Sequence, residues 1–225
     1  MSTPTENSTN ESTIGFVRVV LSRLKPDVKH KDLVPLLQVP LDALLKAMGG
    51  LITAKNVALD DQGYMNWALS LVTGPNLDKL MLKVAAHFGS KTEPGFQLIF
   101  PKTAAVVSNA PLRDQPGLLA DIAKALNAND TPKEVKTLAK DWLVNQADYA
   151  KALTTLATAD DGVTTATKSV KAARGELFIA LATLRGQLIA RNPRQPRVVA
   201  SFYPRSPKKA KKVKPVAATP AAPVA

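Results

Sequence analysis

Five lysines fall within seven residues at Lys208, Lys209, Lys211, Lys212 and Lys214, inside the stretch Ser206-Pro207-Lys208-Lys209-Ala210-Lys211-Lys212-Val213-Lys214-Pro215. Ammonium groups at this density act on phosphates as point charges. They displace condensed counterions, so the binding they support falls steeply with salt. Upstream lie Arg185, Arg191, Arg194, Arg197 and Arg205, with Pro193 and Pro196 fixing the backbone between them. A guanidinium fork suits bidentate contact with phosphate. Phe202 and Tyr203 follow closely. Such rings stack on unpaired bases in single-strand binders, and more often serve as core or strand residues. Ser206, before a proline, is a phosphorylation candidate, and a phosphate there would weaken the attraction of the lysines for a polyanion.

Other chemistry is thinly supplied. There is no cysteine, which removes disulfides, thiolate zinc sites and cysteine nucleophiles. His30 and His87 are the two histidines, and neither has a metal-ligand spacing. The pairs Asp60-Asp61 and Asp160-Asp161 stand one or two residues before a glycine, which assigns them to turns and caps. No Gly-x-x-x-x-Gly-Lys-Ser/Thr phosphate loop occurs. The expectation is a protein without catalytic residues, metal, cofactor or small-molecule substrate.

The element that must position the arginines is the stretch 131–191. Its apolar spacing predicts two long helices joined at Asp160-Asp161-Gly162. The first opens on Thr131-Pro132-Lys133-Glu134, the residue types of a capping box with proline at the first helical position. Steps of three and four then run through Val135, Leu138, Trp142, Tyr149, Leu153 and Leu156. A second series runs through Val163, Ala166, Val170, Ala173, Leu177, Leu181, Leu184 and Leu188, and Asn192-Pro193 ends it. At 100° per residue Lys171, Arg174 and Arg185 share one shoulder of the second helix, with Lys168 further round and Glu176 on the other side. That edge suits a helix packing inward and meeting polyanion outward, and it also fits an ordinary solvated face.

Elsewhere the pattern predicts a polar, disordered arm over 1–12 and a helix capped by Thr13 and stopped at Pro26. A short helix over 30–38, broken by Pro35, and another over 40–48, ended by Gly49-Gly50, follow. Further helices are expected over 62–73, 76–88 and 116–126, with Gly89 closing the second. Trp67 and Trp142 read as core. Residues 96–100 and 197–203 read as strands that pair in one small two-stranded element. The fold class is thus mostly α, a helical bundle over 13–203 with a long C-terminal hairpin and disordered termini. The tail 204–225, made of Lys, Pro, Ala and Val, cannot bury a core.

The 30 basic and 18 acidic residues leave a net charge of +12. From Leu177 onward there are ten basic residues and no acid, so a near-neutral body carries a cationic end. Such asymmetry points to nucleic acid or an anionic membrane surface. No run approaches the roughly 18 uncharged apolar residues of a spanning helix. The N-terminus lacks the basic-then-apolar form of a signal peptide.

Around Ser206–Pro215 the chain is similar to the Ser-Pro-Lys-Lys repeats and Ala-Lys-Pro tails of linker histones, over about twenty residues. The body shows no winged-helix pattern, so the histone fold does not come with the tail. The residues leave three roles open for the tail: polyanion binding, a nuclear localisation signal, or solubility. In size and layout the whole chain resembles the helical coat and nucleocapsid proteins of RNA viruses, which pair a helical bundle with basic, flexible termini. That resemblance implies a protein that coats RNA in many copies, found in the virion and the host cytoplasm, and it brings no site residues with it. On charge alone the binding set is Lys171, Arg174, Arg185, Arg191, Arg194, Arg197, Arg205, Lys208, Lys209, Lys211, Lys212 and Lys214. Expected partners are RNA, with DNA fitting the same phosphate chemistry, and further copies of the chain. The alternative is a chromatin- or ribosome-associated accessory protein binding as a monomer. A membrane-surface role ranks below both, because the tail has no apolar anchor.

Overall fold

The computed structural model describes residue 4 and residues 8–204; the lysine tail and Arg205 lie outside the described residues. The chain is mostly helical, and among the described residues there is no strand. It divides into two compact units. The first comprises residues 1–43 and 173–225, the second residues 44–172.

In the first unit, α1 (Asn10–Leu24) begins one turn earlier than its apolar pattern suggests. Thr9, not Thr13, is the cap: its hydroxyl accepts the Ser12 N–H at 3.2 Å, and Thr13 donates to the Thr9 carbonyl at 2.9 Å. Residues 10–12 of the expected arm are therefore helical, and residues 1–3 and 5–7 lie outside the described residues. A 3-10 turn, Lys31–Leu33, leads into α2 (Val34–Val72), of which residues up to 43 belong here. The unit is completed by α7 (Lys133–Arg191) from residue 173 and by α8 (Pro196–Ser201). Val17, Val20, Leu21 and Leu24 of α1 are buried, as are Leu33, Leu37 and Leu41, and Leu177, Leu181, Leu184 and Leu188 of α7. Steps of three and four place each set on one face. Each leucine so buried contributes about 1.5–3 kcal/mol.

The second unit holds α2 from residue 44, α3 (Gly74–Phe88), α4 (Pro94–Ile99), α5 (Ala104–Ser108), α6 (Gln115–Asn127) and α7 to residue 172. Its core runs through Val72, Leu77, Val84, Phe96, Leu119, Leu126, Val135 and Trp142. Trp142 Nε1 donates to the Val72 carbonyl at 3.0 Å, so an indole satisfies an orphan carbonyl at the end of α2. Gly89 closes α3 at φ +87°, as its position beyond the last apolar residue predicts. At Gly95 a Cβ would meet Phe88 Cε1 at 2.6 Å, so a side chain there requires the Phe88 ring to shift.

Several sequence expectations are corrected. There is no hairpin at Asp160-Asp161-Gly162: α7 is one continuous helix of 59 residues, and Gly162 has no left-handed φ. A glycine costs a helix about 1 kcal/mol relative to alanine, less than breaking a run of cooperative hydrogen bonds. For the same reason Gly49 and Gly50 lie inside α2, and both aspartate pairs lie within helices rather than in turns. Pro35 stands at the second position of α2 and breaks nothing, and Pro40 lies inside it despite a cost of about 3 kcal/mol. Thr131 does not cap α7. Its hydroxyl donates to the Ala125 carbonyl at 2.7 Å, finishing α6 instead. The two predicted strands are α4 and α8, in different units, so they form no sheet. Trp142 is core but Trp67 is exposed. The expectation that no stretch nears a membrane-spanning composition is also too strict, since an 18-residue window within 31–88 reaches a mean hydropathy of 1.3.

Candidate nucleic-acid interface

Five of the predicted arginines, Arg174, Arg185, Arg191, Arg194 and Arg197, lie in the first unit, whereas Lys171 is an exposed residue of the second. They do different work. Arg191 closes α7 onto the 3-10 turn through a bidentate pair with Asp32, at 2.7 and 2.5 Å, and donates to the Lys29 carbonyl at 3.4 Å. The Arg191 hydrogen bonds hold the Asp32 carboxyl below its usual range. Arg174 is half-buried, donates to the Ser8 carbonyl and lies over the Phe178 ring at 5.3 Å from its centroid. Both groups therefore anchor the N-terminal segment to α7. Their charge remains, but their forks are engaged.

Arg185, Arg194 and Arg197 are exposed and make no ion pair among the described residues. Arg194 follows Pro193 at φ +65°. That left-handed backbone costs an L-residue roughly 1–2 kcal/mol, and it turns the chain from the end of α7 into α8.

Phe202 and Tyr203 are not available as a stacking platform, because both are buried. Phe202 meets the His30 ring edge-on at 5.2 Å, and Tyr203 packs on Phe16 at 6.1 Å. Arg23 fixes this segment by donating to the Ser201 carbonyl at 2.8 Å and to the Tyr203 carbonyl at 2.6 Å. Burial pushes the Tyr203 phenol up to about 12, against the opposing pull of Arg185, and its hydroxyl has no hydrogen-bond partner. His30 is also buried. Its Nε2 lies 3.0 Å from Asn192 Nδ2, and its Nδ1 lies 3.2 Å from Asp27 Oδ2, within ion-pair distance but outside hydrogen-bond geometry. This histidine is a packing node that joins the turn before α2 to the end of α7.

The sequence reading missed a second group of cations. Arg18, Lys25, Lys29 and Lys31 belong to the N-terminal segment, are exposed, and make no ion pair among the described residues. The fold places them in the same unit as Arg185, Arg194 and Arg197. Their only signal was that residues 13–31 are locally basic, and this was diluted when the chain before Leu177 was counted as one body. Divided by unit, residues 1–43 and 173–225 carry 16 basic and 6 acidic groups, while residues 44–172 carry 14 and 12. Among the described residues no group of three or more His, Asp or Glu side chains forms a metal-holding cluster. Comparison with protein-family models, curated proteins and solved structures finds no match.

Proposed function

We propose that this chain is a non-enzymatic structural protein that binds RNA through its first unit and its lysine tail and coats it in many copies, in the manner of a viral coat or nucleocapsid protein. The observation that carries the reading is the partition of charge. Among the described residues the first unit holds 10 basic against 5 acidic groups and exposes unpaired Arg185, Arg194, Arg197, Lys29 and Lys31; the tail adds Arg205 and five lysines, while the other unit is nearly neutral. A neutral unit can meet copies of itself without repulsion while the cationic unit neutralises phosphate. Contacts of this kind carry no base information, so binding is expected to be independent of sequence.

The test is RNA affinity against salt for the full chain and for a chain ending at Pro204. Removing the tail deletes Arg205 and five lysines. If all six touch phosphate, the slope of log K against log salt falls by about 4, at roughly 0.7 per contact on a single strand. The expected result is a reduced but still negative slope, because the cations of the folded part remain. An unchanged slope excludes the tail, and a full chain with no salt-dependent affinity for RNA overturns the reading.

A further inference from the structure

The second unit contains a pair of helices with too little around them. Trp142 of α7 meets Val72 of α2, and further along, Val57 and Asp61 of α2 line one cleft with Thr154, Thr155, Thr158 and Ala159 of α7. As α2 is followed back from Val72, α7 is followed forward from Trp142, so the two helices run antiparallel. Over residues 45–64 of α2 and 153–169 of α7 no side chain is buried. Leu51, Ala54 and Ala58 are half-buried, as are Leu156, Ala159 and Val163 of α7. Two helices can cover one stripe of each, and none of the described residues buries the rest.

What stays uncovered on α2 is ordered. Leu45, Ile52 and Leu59 are 37%, 59% and 70% exposed. They stand seven residues apart, so they drift only about 20° per step and lie on one straight line, with Met48 and Gly49 between the first two and the exposed Lys55 and Asn56 between the last two. At 100° per residue this stripe lies roughly 130° round the helix from Leu51, Ala54 and Ala58. It is therefore a separate face from the one turned to α7. An apolar stripe of large residues left in water on a long helix marks an interaction surface.

We infer that this stripe is the docking surface for the same stripe of a second copy, with the two α2 helices antiparallel about a two-fold axis at Ile52. The pattern is its own complement. Turned about Ile52, Leu45 faces the partner copy's Leu59, and Ile52 faces its own counterpart. The flanking charges select the direction. Lys46 and Asp60 each follow a stripe leucine by one residue, so both stand on the same flank. Both are exposed, and neither makes an ion pair among the described residues. Antiparallel pairing brings Lys46 of each copy within about two residues of register of Asp60 on the other. In parallel pairing this flank of one copy would face the opposite flank of the other, so Lys46 and Asp60 would lose each other as partners. Gly49 and Gly63 sit four residues after Leu45 and Leu59, on that same flank, and a Cβ at either would meet nothing within 4 Å of its own chain. A glycine inside a helix costs about 1 kcal/mol relative to alanine; here it leaves room for a second helix to approach. The isologous form of the contact is the one that closed dimers use. The alternation of Lys46 with Asp60 on the flank does not suit an anionic lipid surface.

This inference deepens the coat reading, from which it takes the second copy as partner, but its test contains no RNA. The chain has no cysteine, so single-cysteine variants of the full protein report one contact each. Under mild oxidation at low micromolar concentration, Ile52→Cys is expected to form a disulfide dimer on its own. Leu45→Cys and Leu59→Cys are each expected to cross-link at least tenfold more slowly alone than when mixed. In sedimentation, Lys46→Glu and Asp60→Lys should each weaken self-association, and the double variant should restore it. Cross-linking of Leu45→Cys with itself as fast as Ile52→Cys means parallel packing and overturns the proposal. So does the absence of any cross-linked pair, whether or not the protein floats with phosphatidylserine vesicles. If the cysteine pattern appears while salt-dependent RNA affinity is absent, the docking stands and the RNA reading falls; the converse separates them the other way.

Discussion

Tyr203 shows how a residue read for one chemistry can serve another. Its position behind an arginine cluster suits base stacking, yet only 2% of it is exposed and its hydroxyl is unpartnered. A phenol with a raised folded-state pKa stays neutral in the fold after its unfolded counterpart has ionised. The unfolded chain then holds fewer protons, so stability is present below about pH 10 and is lost as pH rises toward 12. Tyr203→Phe is expected to keep or slightly raise stability at neutral pH, since it removes an unsatisfied polar group. It should also flatten the fall in Tm between pH 10 and 12, as thermal melts of the two proteins would measure. At this scale the sequence identified which side chains are cations, and Arg185, Arg194 and Arg197 are exposed as a binding role requires. It did not show that Arg191 is held by Asp32 or Arg174 by Ser8, because those partners lie about 160 residues away in the chain. No local pattern encodes a contact of that separation.

Among the elements, ends were more legible than continuity. Gly89 and Asn192-Pro193 close helices where expected, because a left-handed glycine and a pre-proline residue act locally. The interruptions were over-read. Gly49-Gly50 and Asp160-Asp161-Gly162 both carry the composition of a break, and both are helical. A break signal worth about 1 kcal/mol is a bias, and it loses to the cooperativity of a long helix and to the seam that α2 and α7 share. Gly162→Ala separates the two structures. In a continuous helix with open space around the Cβ it stabilises by about 0.5–1 kcal/mol. At a turn requiring a left-handed residue it would destabilise by at least as much. Chemical denaturation followed by circular dichroism is expected to give the stabilising sign.

For the molecule as a whole, the sequence showed a cationic end but not its company. Counting along the chain places the positive charge after Leu177. Folding adds residues 1–43 to the same unit; these carry five basic and five acidic groups, so they bring the exposed cations Arg18, Lys25, Lys29 and Lys31 without net charge. The partition makes a paired prediction. Lys29→Gln with Lys31→Gln removes two charges from the cationic unit and should lower the RNA salt slope by about 1.4, at roughly 0.7 per phosphate contact. Lys79→Gln with Lys83→Gln removes two exposed charges from the neutral unit and should leave the slope unchanged. Equal effects from the two pairs would mean that RNA is held by diffuse charge and not by one unit.

The first unit is discontinuous in the chain, and this has a consequence in time. When synthesis has reached residue 172, every segment of the second unit has been made, while α1 still lacks the stretch of α7 and the α8 segment that belong with it. Domains fold as units, with the earlier-made ones first. The unit that would grip phosphate is therefore completed last, and a prematurely terminated product would carry the neutral unit without the cationic one.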